Sequence, residues 1–237
     1  MTYNNEGKCK GMALIHDNLS LVKSKIVEAA QRVHRKPEEV ELIVVSKTFP
    51  AEVIREAVEA GHRLFGENRV QELLGKIADL PSDLRWHLIG HLQSNKVRKI
   101  LPVVEAIHSV DSLDLARDIN RVAAELGLFP KVYLEVNVAG EATKHGFDPE
   151  RLESALEELL KFDRLEIEGF MCVPPMGGEP EDSRRYFVLL RELRDRMAKL
   201  AGVPFAGLSM GMSGDFTVAV EEGATLVRVG SAIFGGR

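Results

Sequence analysis

Lys47 closes the apolar run Val40-Glu-Leu-Ile-Val-Val-Ser-Lys47, just before Thr48, Phe49 and Pro50 turn the chain. An amine at the carboxyl end of a buried parallel strand stands where α/β proteins keep their chemistry. Low-dielectric walls there disfavour the ammonium form, which suits attack on a carbonyl; the plain alternative is a lysine that snorkels to water. A second group lies near the C-terminus. Val227-Arg228-Val229-Gly230-Ser231 and Ser209-Met210-Gly211-Met212-Ser213-Gly214 combine small residues with hydroxyls. Backbone N–H groups in such stretches, with one or two Ser Oγ atoms, can take a phosphate. His87 and His91 have the spacing H-x3-H, but they straddle a strand end and no carboxylate accompanies them, so we expect no metal site. Cys9 and Cys172 are too far apart to form a metal motif, and their use fits a reducing compartment.

These residues need elements to position them. Helical spacing of Leu14, Leu19, Val22, Ile26 and Val33 predicts a first helix over roughly 13–34, after a polar, flexible stretch at 1–11. Strands are then predicted at 40–47, 64–68, 85–90, 106–111, 131–138, 165–173, 205–211 and 225–231, with helices between them. Asp148 before Pro149 and Asp111 before a helix containing Asp114 read as N-caps. Gly61, Gly127, Gly202 and Gly223 read as helix stops. Eight strands with seven intervening helices is the pattern of a single (β/α)8 TIM barrel over 1–237, with the N-terminal helix filling the gap in the outer ring. An open doubly wound sheet is the competitor, and the lack of a GxGxxG after the first strand counts against it.

The carboxyl ends of barrel strands converge on one face. They bring together Lys47, Asn68, Met171, Ser209, Met212, Ser213, Arg228, Gly230 and Ser231. A reactive lysine facing a phosphate site is what pyridoxal 5′-phosphate (PLP) requires, and a Schiff-base aldolase acting on a sugar phosphate requires the same two elements.

The chain has 237 residues, 45% hydrophobic and 28% charged, with a formal charge of −5. That balance argues against a general nucleic-acid surface. No stretch has signal-peptide or membrane-spanning character, so a cytoplasmic location is expected. The basic cluster Lys96, Arg98, Lys99 reads as a solvated helix face, and so do the arginines of 179–202, where acidic residues are interspersed.

Six motifs resemble the pyridoxal phosphate homeostasis proteins, in that family's order: Val45-Ser46-Lys47-Thr48; Phe65-Gly66-Glu67-Asn68 with Gln71-Glu72; Trp86-His87-Leu88-Ile89-Gly90-His91-Leu92-Gln93-Ser94-Asn95-Lys96; Gly169-Phe170-Met171; Leu208-Ser209-Met210-Gly211-Met212-Ser213; and Val227 through Gly235. Phe49, Met210 and Ser231 depart from the usual residues. The resemblance implies a barrel like the N-terminal domain of alanine racemase, with PLP held as a Schiff base on Lys47. It implies a carrier or regulator of the cofactor pool rather than an enzyme; PLP-dependent apo-enzymes are candidate recipients, and a monomer is expected. The alternative is a fold-type III PLP enzyme such as an amino-acid racemase. Alanine racemase adds a C-terminal domain carrying a tyrosine base. Here the chain is read as ending with its eighth strand, and Tyr3, Tyr133 and Tyr186 fall in a tail, a strand and a helix.

Overall fold

A computed structural model describes residues 5–141, 143–175 and 177–236, with side chains from residue 14 onward. Eight parallel strands close into a barrel in chain order: β1 (Glu41–Val45), β2 (Leu64–Glu67), β3 (Arg85–Leu88), β4 (Ala106–Val110), β5 (Lys131–Glu135), β6 (Glu166–Met171), β7 (Gly207–Ser209) and β8 (Leu226–Val229). Around them run α1 (Asn5–Arg32), α2 (Ala51–Glu59), α3 (Val70–Lys76), α4 (Val97–Ile100), α5 (Leu113–Leu126), α6 (Pro149–Leu159), α7 (Arg184–Ala201), α8 (Phe216–Glu221) and α9 (Ser231–Phe234).

Alternation along each strand separates two cores. In β1, Leu42 and Val44 face outward into the apolar layer shared with the helices, while Ile43 points into the barrel. Ile43, Leu64, Ala106, Tyr133, Met171 and Leu226 fill the interior. Gly169 and Gly207 permit this packing. A Cβ on Gly169 would lie 1.8 Å from the Gly207 carbonyl oxygen, and one on Gly207 would lie 2.4 Å from the Tyr133 ring. Trp86 lies outside the barrel wall, its ring centroid 5.4 Å from that of Phe65.

Helix boundaries follow local chemistry. Asp148 accepts from the Glu150 and Arg151 N–H groups at 2.9 and 3.2 Å, with Pro149 opening α6. Gly127 and Gly202 end α5 and α7 with left-handed φ of 68° and 67°. Three expectations need correction. The cap of α5 is Ser112, whose Oγ accepts from Leu115 N at 3.3 Å; Asp111 lies one residue too early to cap. Helix α1 starts at Asn5 instead of near 13, so of the stretch expected to be flexible only residues 1–4 lie outside the described residues. The strands are shorter than their apolar runs, since apolar residues such as Val136, Cys172 and Met210 continue past the ladder into the outer core.

The gap in the outer ring is filled as expected. Helix α1 packs against α2, α8 and α9. Arg35 Nη1 and Nη2 donate to the carbonyls of Val220 and Ala224 at 2.6 and 3.0 Å, tying α1 to the chain between α8 and β8. The arginines of α7 meet acids: Arg184 pairs with Glu181, Glu221 and Glu222, and Arg196 pairs with Glu153. No helix among the described residues is long and apolar enough to cross a membrane.

Candidate functional site

The strand ends surround a cavity of about 550 Å³ lined by Val45, Lys47, Phe49, Asn68, Ile89, Val173, Met212, Ser213, Gly214, Arg228, Gly230, Ser231 and Gly235. Seven of the nine expected positions are among them: Lys47, Asn68, Met212, Ser213, Arg228, Gly230 and Ser231. Met171 and Ser209 are not on this wall, because strand parity places both inside the barrel one layer below the rim. Met171 packs in the interior cluster. The buried Ser209 Oγ accepts from Arg228 Nη1 at 2.6 Å and lies 2.7 Å from His108 Nδ1. Two residues past Met171, the chain reaches the cavity with Val173. A groove of similar size on the outer ring is lined mainly by charged surface groups such as Asp148, Glu150, Arg151 and Glu158, and gathers neither a lysine nor a hydroxyl loop at a strand end.

Lys47 follows β1 by two residues and stands exposed at the cavity rim. Its turn is unusual. Thr48 has φ of 69°, a left-handed conformation that a β-branched residue adopts only under constraint. The constraint is visible on both sides of the lysine. The Thr48 N–H donates to Glu72, and Lys76 Nζ donates to the Ser46 carbonyl at 3.0 Å. Lys76 Nζ also contacts Glu67 and Glu72, each at 2.7 Å. Glu67 is fully buried and accepts from Ser46 Oγ at 2.7 Å. Burial raises its pKa, against the opposing effect of Lys76 and Ser46. Two carboxylates and an ammonium behind the sheet therefore clamp the backbone that presents Lys47. The motif containing Glu67 and Glu72 was recognisable in the sequence, but the role of Lys76 was not.

The opposite wall is built of small residues. Ser213 Oγ accepts from the Gly230 and Ala232 N–H groups at 3.2 and 3.3 Å, which joins the loop after β7 to the loop after β8. A Cβ on Gly230 would lie 3.0 Å from the Val45 carbonyl oxygen and 3.2 Å from Val45 Cβ, so a larger residue would press on β1 two residues before Lys47. The rings of Phe49 and Phe234 meet at 4.6 Å.

Between the two walls, Arg228 is held rigidly. Besides Ser209, its Nη2 donates to the Cys172 carbonyl at 2.9 Å. Below it a buried polar chain continues from Ser209 to His108 and on to His87, with His108 Nε2 at 2.9 Å from His87 Nδ1. Burial drives His87 down to about 4 and His108 well below the usual imidazole range, so both are neutral near pH 7. Glu135 is pushed up to about 7, first by burial and then by the Asp111 charge, against the pull of Arg228. It lines a second cavity of about 230 Å³, with Asn137, Lys144 and His145, that shares Val173 with the first. The Cys172 thiol, pushed up to about 12 by burial, is an inert packing group. His87 and His91 go separate ways, one into the barrel and one onto the loop after β3.

This arrangement, a closed parallel (β/α)8 barrel with a lysine after its first strand and small-residue loops after its last two, defines the class of alanine-racemase-like barrels. The family model described as "Alanine racemase, N-terminal domain" matches residues 18–237. Alanine racemase from Clostridium difficile shares the fold at TM-score 0.70 and 20% identity, over 93% of this chain and 57% of that one. Nearer relatives narrow the class. The pyridoxal phosphate homeostasis protein of Aquifex aeolicus is 46% identical over 93% of this chain and 97% of its own length. That of Pseudomonas aeruginosa is 44% identical over 95% and 97%. A structure of PipY from Synechococcus elongatus with PLP bound superposes at TM-score 0.83, with 41% identity over 93% of this chain and 100% of that one. The chain belongs to the pyridoxal phosphate homeostasis protein family.

Proposed function

We propose that this protein holds PLP on Lys47 as a Schiff base and serves as a carrier in the homeostasis of that cofactor. The observation that carries this reading is one cavity with a lysine amine on one side and the hydroxyl- and glycine-bearing loops 212–214 and 230–231 on the other. The names of the relatives and the PLP-bound PipY structure support it. The residues fit the group. The volume suits a small cofactor. Gly214 and Gly230 would let backbone approach the phosphate, Ser213 and Ser231 would offer hydroxyls, and Val45, Ile89 and Val173 would offer apolar contact to the ring.

When bound, PLP supplies an aldehyde that condenses with amines, with loss of water, and in enzymes an electron sink. Lys47 Nζ would form the carbon–nitrogen bond from a backbone turn already clamped in place. Arg228 would meet the ring nitrogen. A guanidinium held by Ser209 and the Cys172 carbonyl disfavours a proton on that nitrogen, which weakens the sink. Among the described residues no tyrosine lines the cavity: Tyr133 packs in the barrel interior and Tyr186 lies on α7. Holding without turnover is the reading these features favour.

The test is a visible spectrum of protein mixed with PLP, followed by borohydride reduction and peptide mass mapping. We expect an absorbing adduct on Lys47 that is absent in Lys47→Ala. An adduct on another lysine, or α-proton exchange of added amino acids at ordinary enzymatic rates, would overturn the proposal.

A further inference from the structure

Three groups with metal-ligand chemistry converge on the same barrel face from successive loops. His91 follows β3, Asp111 follows β4, and His145 lies in the loop after β5. His91 Nδ1 is 3.1 Å from Asp111 Oδ2, and His145 Nδ1 is 3.6 Å from the same oxygen. One ligand atom from each residue lies within 4.8 Å of the other two. The two imidazoles stack with centroids 4.1 Å apart and planes 17° from parallel. The Asp111 side chain is only 11% exposed, yet its ion-pair partners among the described residues are these two histidines and no lysine or arginine. Its second oxygen, Oδ1, accepts from Ser112 Oγ at 3.2 Å, which fixes the carboxylate plane.

We propose that His91, Asp111 and His145 form a site for a divalent transition-metal ion of the zinc class. Two imidazole nitrogens and one carboxylate oxygen are a donor set that suits zinc and its neighbours, whereas calcium and magnesium ask for more oxygens. With bonds of about 2.1 Å, ligands on a tetrahedral ion stand about 3.4 Å apart, between the two separations seen here. The Asp111–Ser112 bond supplies the outer-shell orientation that such sites use. Three protein ligands leave a fourth position for water or an incoming carboxylate. The stacked rings cannot both aim a lone pair at one ion as they stand. Both side chains are largely open to solvent, 44% and 61% exposed, so a rotation of one ring out of the stack completes the site. Occupancy would tie the loops after β3, β4 and β5 together beside the second cavity, which His145 also lines. His87, the other half of the H-x3-H pair, takes no part. The proposal does not depend on Lys47, since Lys47→Ala leaves all three ligands in place.

The test uses the full chain, freed of metal with a chelator. It is titrated with Zn²⁺ by calorimetry and with Co²⁺ by visible d–d absorbance. We expect one saturable site, with histidine ring resonances that shift as the stack opens. Asp111→Asn and His145→Ala should each weaken binding by about a hundredfold or more, because losing a ligand costs at least as much as losing an outer-shell partner. His16→Ala, remote on α1, should leave it unchanged. Circular dichroism confirms folding, and if Asp111→Asn fails to fold, His145→Ala decides alone. Absence of saturable binding, leaving Asp111 as a plain polar partner of the two histidines, would overturn the proposal. So would binding of equal strength in His145→Ala.

Discussion

Ser231 and Gly230 line the same wall of the cavity. A hydroxyl bonded to a charged phosphate contributes about 1.5–3 kcal/mol, so Ser231→Ala should weaken PLP retention roughly tenfold or more, as measured by equilibrium dialysis. Gly230→Val should be worse, because its Cβ presses on the Val45 backbone as well as blocking approach. Equal retention in both variants would place the phosphate elsewhere. Arg228 illustrates a different residue-scale effect. Its guanidinium bonds the buried Ser209 hydroxyl, which also has His108 as a partner, and the Cys172 carbonyl, so Arg228→Leu strands that carbonyl as well as removing a charge. The orphaned carbonyl costs about 1–3 kcal/mol, a loss that thermal unfolding of the cofactor-free protein would register.

At the scale of elements, the clamp behind Lys47 joins β1, β2 and α3. Lys76 is the single cation among Glu67, Glu72 and the Ser46 carbonyl. Lys76→Met leaves Glu67 buried without its counter-ion, and breaking a buried pair from one side costs about 3–5 kcal/mol. Adding Glu67→Gln removes the stranded charge and should restore most of that stability. The Thr48 amide should still exchange faster with deuterium in the double variant, because the Lys76 anchor on Ser46 and Glu72 is gone. Protection of Thr48 equal to that of the parent protein would show that the strained turn holds itself. Helix α3 delivers both Glu72 and Lys76 from one face, four residues apart.

At the scale of the whole molecule, buried titratable groups set the pH dependence of stability. The Glu135 carboxyl sits at about 7, above its unfolded value, so its stabilising contribution is complete below about pH 4.5 and is lost as pH rises through 7. The imidazoles of His62 and His87, down at about 4, act in the opposite sense: their contribution is present above pH 6.5 and is lost as pH falls through 4. Glu135→Gln should therefore be more stable than the parent at pH 8, by at most about 2–3 kcal/mol, with the gain gone by pH 4.5. Denaturant unfolding across that range checks it, and a gain that does not vary with pH would show that Glu135 is not the titrating group.

The chain alone determined the succession of elements, the barrel and most of the cavity. Hydrophobic period and capping chemistry are local, and strand ends converge on one face in any closed parallel barrel. Lys47, Ser213, Gly230 and Ser231 needed no further information. What the tertiary structure decided was depth and cross-strand company. Met171 and Ser209 point into the barrel one layer below the rim, and only the pairing of Met171 with Ser209 and of Ser209 with the interior Leu226 shows that depth. Lys76 reaches the Lys47 turn from 29 positions away in the chain, and Asp111 collects histidines from two other loops. Such contacts follow from barrel closure, which brings distant positions within a few ångströms and strips the water from between them. No spacing along the chain encodes that, because it depends on every strand's register at once.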